Sequence, residues 1–495
     1  MTAHDILRQR TRALTPHPVD GKREYVLCWL MQALRAQENP AIDVAILLGN
    51  QLKLPVVVIH ALENRYPYAS HRLHRFILEA SLDLQSGVEE RGLRFVRWVR
   101  RAGDGEVDTV AKVAEQAAAV VVDDVPTFVT RTYADDLAGR LSAAVWAVDA
   151  CCAVPMNAFP DHLATTKQFR AAHTPLREVH LQTDLEQKPA MDKFQGDLDL
   201  GSGESTDLSV DGLDALIEQC GVDMSVRAVP AYPGSRSVAV DRLKKVVSEV
   251  IPRYKWTRNN PSLENDSTHL SPYMHFGVLS PREVALAVRK AEADGDVHPA
   301  ARYKFFDELL TWREYFHHGC RKMPHFNRWA GIPGWASKSL LDHAGDPRKT
   351  VYDLQALIHG ETDDETWNAA QKTYTLDGWM NNNLRMYWVK QLIRWRPDPR
   401  EAFAVACYLN DRFSYDGRDA STYGNIRWGF GDAKKGYREL DVYGWVPPRG
   451  DAALRRRDGV AEWLAQQAGR EVPRVDVPED WDGIMERYVG EVDNL

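Results

Sequence analysis

The strongest constraint on this chain is an alternation confined to its first 150 residues. Strand-length apolar runs, several of them β-branched, recur there with amphipathic, helix-length stretches between them. The strand-like runs are Tyr25–Leu30, 54–60, 93–99 and 143–148, with a further one at 120–122 running into Asp123 and Asp124. The stretches 41–52, 71–91, 107–119 and 134–141 keep helical spacing. Strands apolar on both faces and separated by helices predict a doubly wound parallel sheet. Such a sheet offers a crevice at the carboxyl ends of its strands. No GxGxxG follows the first strand, so a standard dinucleotide site there is unsupported.

After about residue 240 the pattern becomes helical. The stretches 238–251, 281–293, 301–318, 350–359, 379–395, 400–409 and 451–467 each show helical apolar spacing. Ser280 and Pro281 read as an N-cap and first-turn proline, and Pro397 and Pro399 as stops for the helix before them. A chain of 495 residues exceeds what one core supports. The expected division is a flexible tail at 1–23, a Rossmann-like α/β domain at 24–150 and an interdomain linker at 151–240. An all-α domain at 241–450 and a C-terminal helical tail at 451–495 follow. Within the linker, 197–208 is acidic, Gly- and Ser-rich and reads as surface chain.

Bulk properties exclude some classes. No run of 18 apolar residues suggests a spanning helix, and the first 23 residues lack the apolar core of a secretory signal. Six scattered cysteines without a CxxC spacing give no metal signature and fit a reducing, cytoplasmic setting. The net charge is −8, yet 251–450 carries 28 Lys and Arg against 25 Asp and Glu. A basic face on that half is compatible with a polyanionic partner.

Of the 15 tryptophans, 12 lie after residue 250. Trp388 and Trp395 are seven apart in one helix, which puts them on one face about 10.5 Å apart along the axis. That spacing suits electron hopping, and core packing produces the same stripe. The turn 267–273 (STHLSPY) offers hydroxyls and N–H groups of the kind that hold a diphosphate. At 379–386 (WMNNNLRM) three amides and a guanidinium crowd together, and an Asn run is costly in a helix unless the amides find partners. Asp416 and Asp419 could pair with Arg385 and bind a ribose.

Together these segments resemble the FAD domain of the photolyase/cryptochrome family. The resemblance rests on STHLSPYMHFGVLSP (267–281), DELLTWREYF (307–316), WMNNNLRMYWVKQLIRW (379–395) and LNDRFSYDGRDAS (409–421). The last two are similar to the class II cyclobutane-dimer photolyases, as is YVLCWLMQALRAQENPAI (25–42). The resemblance implies FAD held by Tyr254 and by Ser267, Thr268, His269, Leu270 and Ser271 at its phosphate side. It places Arg313, Asn382, Arg385, Asp416 and Asp419 around the isoalloxazine, with Asn410 facing N5. It implies a tryptophan relay through Trp388, Trp367 and Trp395, with Trp388 nearest the flavin. Glu308 matches the carboxyl that hydrogen-bonds the dimer carbonyls, and Trp312, Met386 and Trp428 match the walls of the lesion pocket. Arg258, Lys434 and Lys435 are DNA-contact candidates; the loop at 429–440 is shorter than the usual class II segment.

The implied activity is light-driven splitting of cyclobutane pyrimidine dimers in double-stranded DNA by a deoxyribodipyrimidine photo-lyase. Reduced, excited FAD donates one electron to a dimer extruded from the duplex. A deazaflavin- or folate-type antenna chromophore in the N-terminal domain is compatible with the family. The enzyme is expected as a monomer in the cytoplasm, associated with the nucleoid, without metal or membrane. The alternative is a cryptochrome-like blue-light sensor, which need not keep Glu308, Trp312 or Asn410. A light-independent flavoprotein leaves the tryptophan set unexplained, and a (6-4) repair enzyme favours histidines that are missing beside Glu308.

Overall fold

Residues 1–105, 108–201, 203–263, 266–436 and 438–490 are described by the computed structural model. Six strands form one sheet in the order β1-β6-β5-β2-β3-β4: β1 Thr11–Ala13, β2 Tyr25–Leu30, β3 Val56–Leu62, β4 Arg94–Val99, β5 Ala117–Asp123 and β6 Ala144–Val148. All neighbouring pairs are parallel except β1 with β6. Every residue of β2 and of β5 is buried, as strands covered on both faces by helices must be. The expected α/β class and the helical remainder are both present.

The strand order reverses between β2 and β5, where the predicted crevice should lie. Asp123 closes that point: its carboxylate accepts the N–H groups of Met31, Gln32 and Ala33 at 2.8, 2.7 and 2.7 Å. Burial pushes its carboxyl up, against the pull of those three donors.

Several boundaries differ from expectation. The first residues are ordered structure, not a loose tail. Ala3–Arg10 is a helix with a reciprocal Thr2–Asp5 capping box, and β1 lines the sheet edge. Buried Arg10 donates to the carbonyls of Asp149, Cys152 and Ala153. The third strand starts at Val56, two residues late, because Lys53 ends the preceding helix with a left-handed φ of 58°. The helical pattern at 107–119 stops at Glu115, and 117–119 belong to β5; Val107 lies outside the described residues. The next helix is longer than its apolar spacing indicates, Phe128–Arg140.

The stretch 151–240 holds the helices Thr166–Gln182 and Leu213–Gln219. Its acidic piece is no free linker either: Thr206 pairs with the β4 edge, N–H to the Arg97 carbonyl and Oγ1 from the Val99 N–H. Among helix signals, Ser280 caps Pro281–Ala293 as read. Pro399 instead opens the following helix, Pro399–Phe413, behind the N-cap Asp398.

By contacts the chain divides into two units. The first joins Met1–Ser248, Leu270–Val297 and Phe306–His318; the second joins Glu249–His269, His298–Phe305 and the chain from Gly319 onward. The second unit is helical, built around Glu365–Lys372, Asn382–Trp395, Pro399–Phe413 and Ala420–Gly429, with a final helix Trp481–Tyr488. No helix among the described residues is long and apolar enough to cross a membrane.

Candidate functional site

The tryptophans of the second unit form a continuous aromatic path. Asp364 N-caps the Glu365–Lys372 helix by accepting the Trp367 N–H, and Trp367 is wholly buried. Its ring stacks on Trp388 at 6.1 Å between centroids, 5° from parallel, and meets Trp395 edge-on at 5.2 Å. The two indoles spaced seven apart on Asn382–Trp395 are thus bridged by a third from another helix. Both inner indole N–H groups are satisfied: Trp367 donates to the Trp388 carbonyl and Trp388 to Gln371 Oε1, each at 3.0 Å. Tyr374 extends the path inward, edge-on to Trp388 at 5.4 Å, and Tyr352 outward from Trp395 at 5.0 Å.

Tyr374 joins this path to the polar cluster. Its hydroxyl donates to Asn410 Oδ1 at 3.1 Å, and the Arg385 guanidinium lies 5.5 Å over its ring. Burial pushes the Tyr374 phenol well up, so it remains a donor at neutral pH. Arg385 donates to Asp416 at 3.2 and 3.5 Å and to Thr422 at 3.4 Å. Burial opposes its charge, but Asp416, Tyr374 and Asp419 outweigh it and raise its pKa. The expected Arg385–Asp416 pair is therefore present and buried. Asp419 serves the fold as N-cap of Ala420–Gly429.

The asparagine run opens a helix instead of lying inside one. Asn381 is the N-cap, and its amide donates to the Arg258 carbonyl and to Ser267 Oγ, both at 3.2 Å. Asn383 donates to the Asn259 carbonyl. Asn382, the amide singled out from the sequence, is exposed in the first turn, and its buried neighbour Asn381 ties the 258–267 segment to this helix. His269 has a φ of 51° and rests on Trp379 at 3.9 Å; Thr268 is half-buried beside it in the chain. Tyr254 is buried edge-on against Phe305, and the Arg258 guanidinium lies over the Tyr254 ring, 5.4 Å from its centroid. Met386 is buried and Trp428 half-buried. Lys434 and Lys435 are exposed, and the Lys435 ammonium sits 4.2 Å from the Trp445 ring centroid.

Five expected residues belong to the first unit. Leu270 is fully buried, and Ser271 begins the short helix Ser271–His275. Glu308 and Trp312 lie in a π-helical turn, Asp307–Trp312, a local widening often found at functional sites. Both are half-buried, and Trp312 packs on Phe316 and Tyr315. The turn is held from outside by Arg170 to Asp307 and Arg177 to Thr311, each at 2.7 Å. Arg313 donates to the Cys151 carbonyl at 2.7 Å.

The sequence reading missed Gln371, Tyr374, Asp411 and the buried Lys390. A signal for two of them was present: Trp367, Gln371 and Tyr374 are spaced four and seven apart, one helical face.

The DNA photolyase family model matches residues 26–192. The deoxyribodipyrimidine photo-lyase of Methanothermobacter thermautotrophicus is 30% identical over 466 residues, 94% of this chain and 99% of its own length. This chain belongs to the DNA photolyase family. Its enzyme class is that of deoxyribodipyrimidine photo-lyase. The photo-lyase of Arabidopsis thaliana is 28% identical, covering 90% of each chain. At the level of fold, a class III photolyase from Agrobacterium tumefaciens superposes with a TM-score of 0.62 at 16% identity, covering 94% of this photolyase-family chain and 96% of its own.

Proposed function

We propose that this photolyase-family chain is of the class II type. It binds FAD in its helical unit and repairs cyclobutane pyrimidine dimers in double-stranded DNA under blue light. One observation carries the reading: the unbroken ring path Trp395–Trp367–Trp388–Tyr374 ends on Asn410 and the Arg385–Asp416 pair. The residues fit a flavin nucleotide. Among the described residues, the buried Arg385 Nε has no hydrogen-bond partner, a donor left over beside a neutralised ion pair. Such a donor suits an acceptor on a bound ring, because a buried unmet donor costs about 1–3 kcal/mol.

When bound in its reduced, light-excited form, FAD supplies the electron that splits the cyclobutane ring. Tyr254, Ser267, Thr268, His269 and the cap Asn381 would hold its phosphate and ribityl side; Arg385, Asp416, Asp419 and Asn410 would face its ring. The stacked indoles can carry electrons inward from solvent reductants, since each ring meets the next with no gap between them. Glu308 would donate to the dimer carbonyls. Trp312 would stack on an extruded base, worth roughly 1–3 kcal/mol. Arg258, Lys434 and Lys435 would contact phosphates.

An antenna chromophore of deazaflavin or folate type would belong to the first unit. The proposed setting is a monomer acting on DNA in the cytoplasm.

The decisive experiment is to purify the protein, record its absorption spectrum and irradiate it with a dimer-containing oligonucleotide. A flavin spectrum with loss of dimers supports repair. Flavin photoreduction with dimers intact assigns the chain to light sensing, and a colourless protein that cannot be reconstituted overturns the proposal.

A further inference from the structure

Asn410 is followed by a carboxylate that none of the expected roles uses. Asp411 is wholly buried, and four donors converge on it. Its Oδ1 accepts from Asn410 Nδ2 at 2.8 Å and from the Arg418 N–H at 2.9 Å. Its Oδ2 accepts from the Tyr423 hydroxyl at 2.6 Å and the Tyr488 hydroxyl at 2.9 Å. A carboxylate offers about four lone-pair directions, so this one is saturated. The three side-chain donors come from three helices: Asn410 from Pro399–Phe413, Tyr423 from Ala420–Gly429 and Tyr488 as the last residue of Trp481–Tyr488.

The loop between them is shaped to the same end. Arg418 takes a left-handed φ of 59° and returns Nη1 to the Asp411 carbonyl at 2.6 Å. A Cβ on Gly417 would come within 2.8 Å of the Asn410 carbonyl oxygen and 2.9 Å of Asp411 Cα, so only glycine allows the loop to close on these two residues. The C-terminal helix is seated independently by Trp481, edge-on to Tyr408 at 5.9 Å.

An ionised carboxylate can only accept, so it dictates which end of the neighbouring amide faces it. Asn410 must turn Nδ2 toward Asp411, and Oδ1 then meets the Tyr374 hydroxyl, which can donate to it. We infer that Asp411, clamped by Tyr423 and by Tyr488 of the C-terminal helix, is a positioning residue that fixes the amide orientation of Asn410 and thereby sets how readily the bound flavin is reduced. This rests on the reading that Asn410 faces the flavin ring. The C-terminal helix thus contributes to the placement of Asn410 by one hydroxyl, that of Tyr488 on Asp411.

The test is spectroelectrochemical titration of the full-length, FAD-loaded protein carrying Asp411→Asn, Tyr488→Phe or Asn410→Ala. Asp411→Asn removes the acceptor-only character and frees the Asn410 amide to turn over. It should shift the flavin reduction equilibrium about three- to tenfold, the worth of one hydrogen bond. Tyr488→Phe deletes one of four donors and should shift it in the same direction by less. Tyr488→Phe keeps the ring and its packing, so it provides the reading if Asp411→Asn does not fold. Unchanged equilibria in the folded Asp411 and Tyr488 variants, with a clear shift for Asn410→Ala, overturn the inference and leave the flavin reading standing. No shift in any variant, Asn410→Ala included, overturns the placement of Asn410 at the flavin, and the inference with it.

Discussion

Lys390 gives the sharpest quantitative prediction. It lies in the Asn382–Trp395 helix two residues after Trp388, and its side chain is buried. Burial pushes its ammonium from 10.5 down to about 7, and the nearby Arg449 charge adds to the effect. The unfolded chain holds this proton up to about pH 10.5, whereas the folded one releases it near 7. Between those values unfolding takes up a proton, so stability rises with pH across that window. Below pH 7 both states are charged and the penalty is complete. At about 1.36 kcal/mol for each pKa unit, it is on the order of 5 kcal/mol. Lys390→Met keeps the apolar stem and deletes the charge. The variant should be several kcal/mol more stable than wild type to urea at pH 6, and the gap should close steadily toward pH 10. Tyrosines and cysteines titrate in the same range, but they do so in both proteins and cancel in the difference. Equal stability at pH 6, or a gap that stays constant with pH, would refute the argument that Lys390 is stranded in low dielectric.

Other expectations concern the proposed chemistry and its frame. Trp388→Phe should block photoreduction of the flavin while sparing repair by protein reduced chemically beforehand, as followed by absorbance and dimer loss. Glu308→Ala should lower the repair yield per absorbed photon with FAD still bound; an unchanged yield removes Glu308 from the mechanism. Arg385→Ala strands the buried Asp416 carboxylate and should cost about 3–5 kcal/mol in denaturation. Trp367→Ala opens a cavity between two rings and should cost about 3–5 kcal/mol.

Much of the architecture was legible because the strands are continuous apolar runs. Tyr25–Leu30 and the β5 valines announce themselves by composition alone. What escaped was structure made by polar or short segments. Ala3–Arg10 and Trp481–Tyr488 are eight residues each and are anchored by tertiary partners, Arg10 to three carbonyls and Tyr488 to Asp411. Such partners lie 139 or 77 residues away and leave no trace in local periodicity. Likewise Trp388 and Trp395 were visible as a stripe that packing explains equally well. Only the insertion of Trp367 from another helix turns the stripe into a path. The Asn381–Asn383 run could be seen as costly, but not that its cost is met by capping and by carbonyls near residue 258.

The short antiparallel strand at the chain's start has a practical consequence. β1 pairs three residues against β6 and covers what would otherwise be the bare flank of a hydrophobic sheet. A version trimmed of its first fifteen residues would present that flank to other molecules. It should accumulate in inclusion bodies or as soluble aggregates, even though every residue matched to the light chemistry would still be in place.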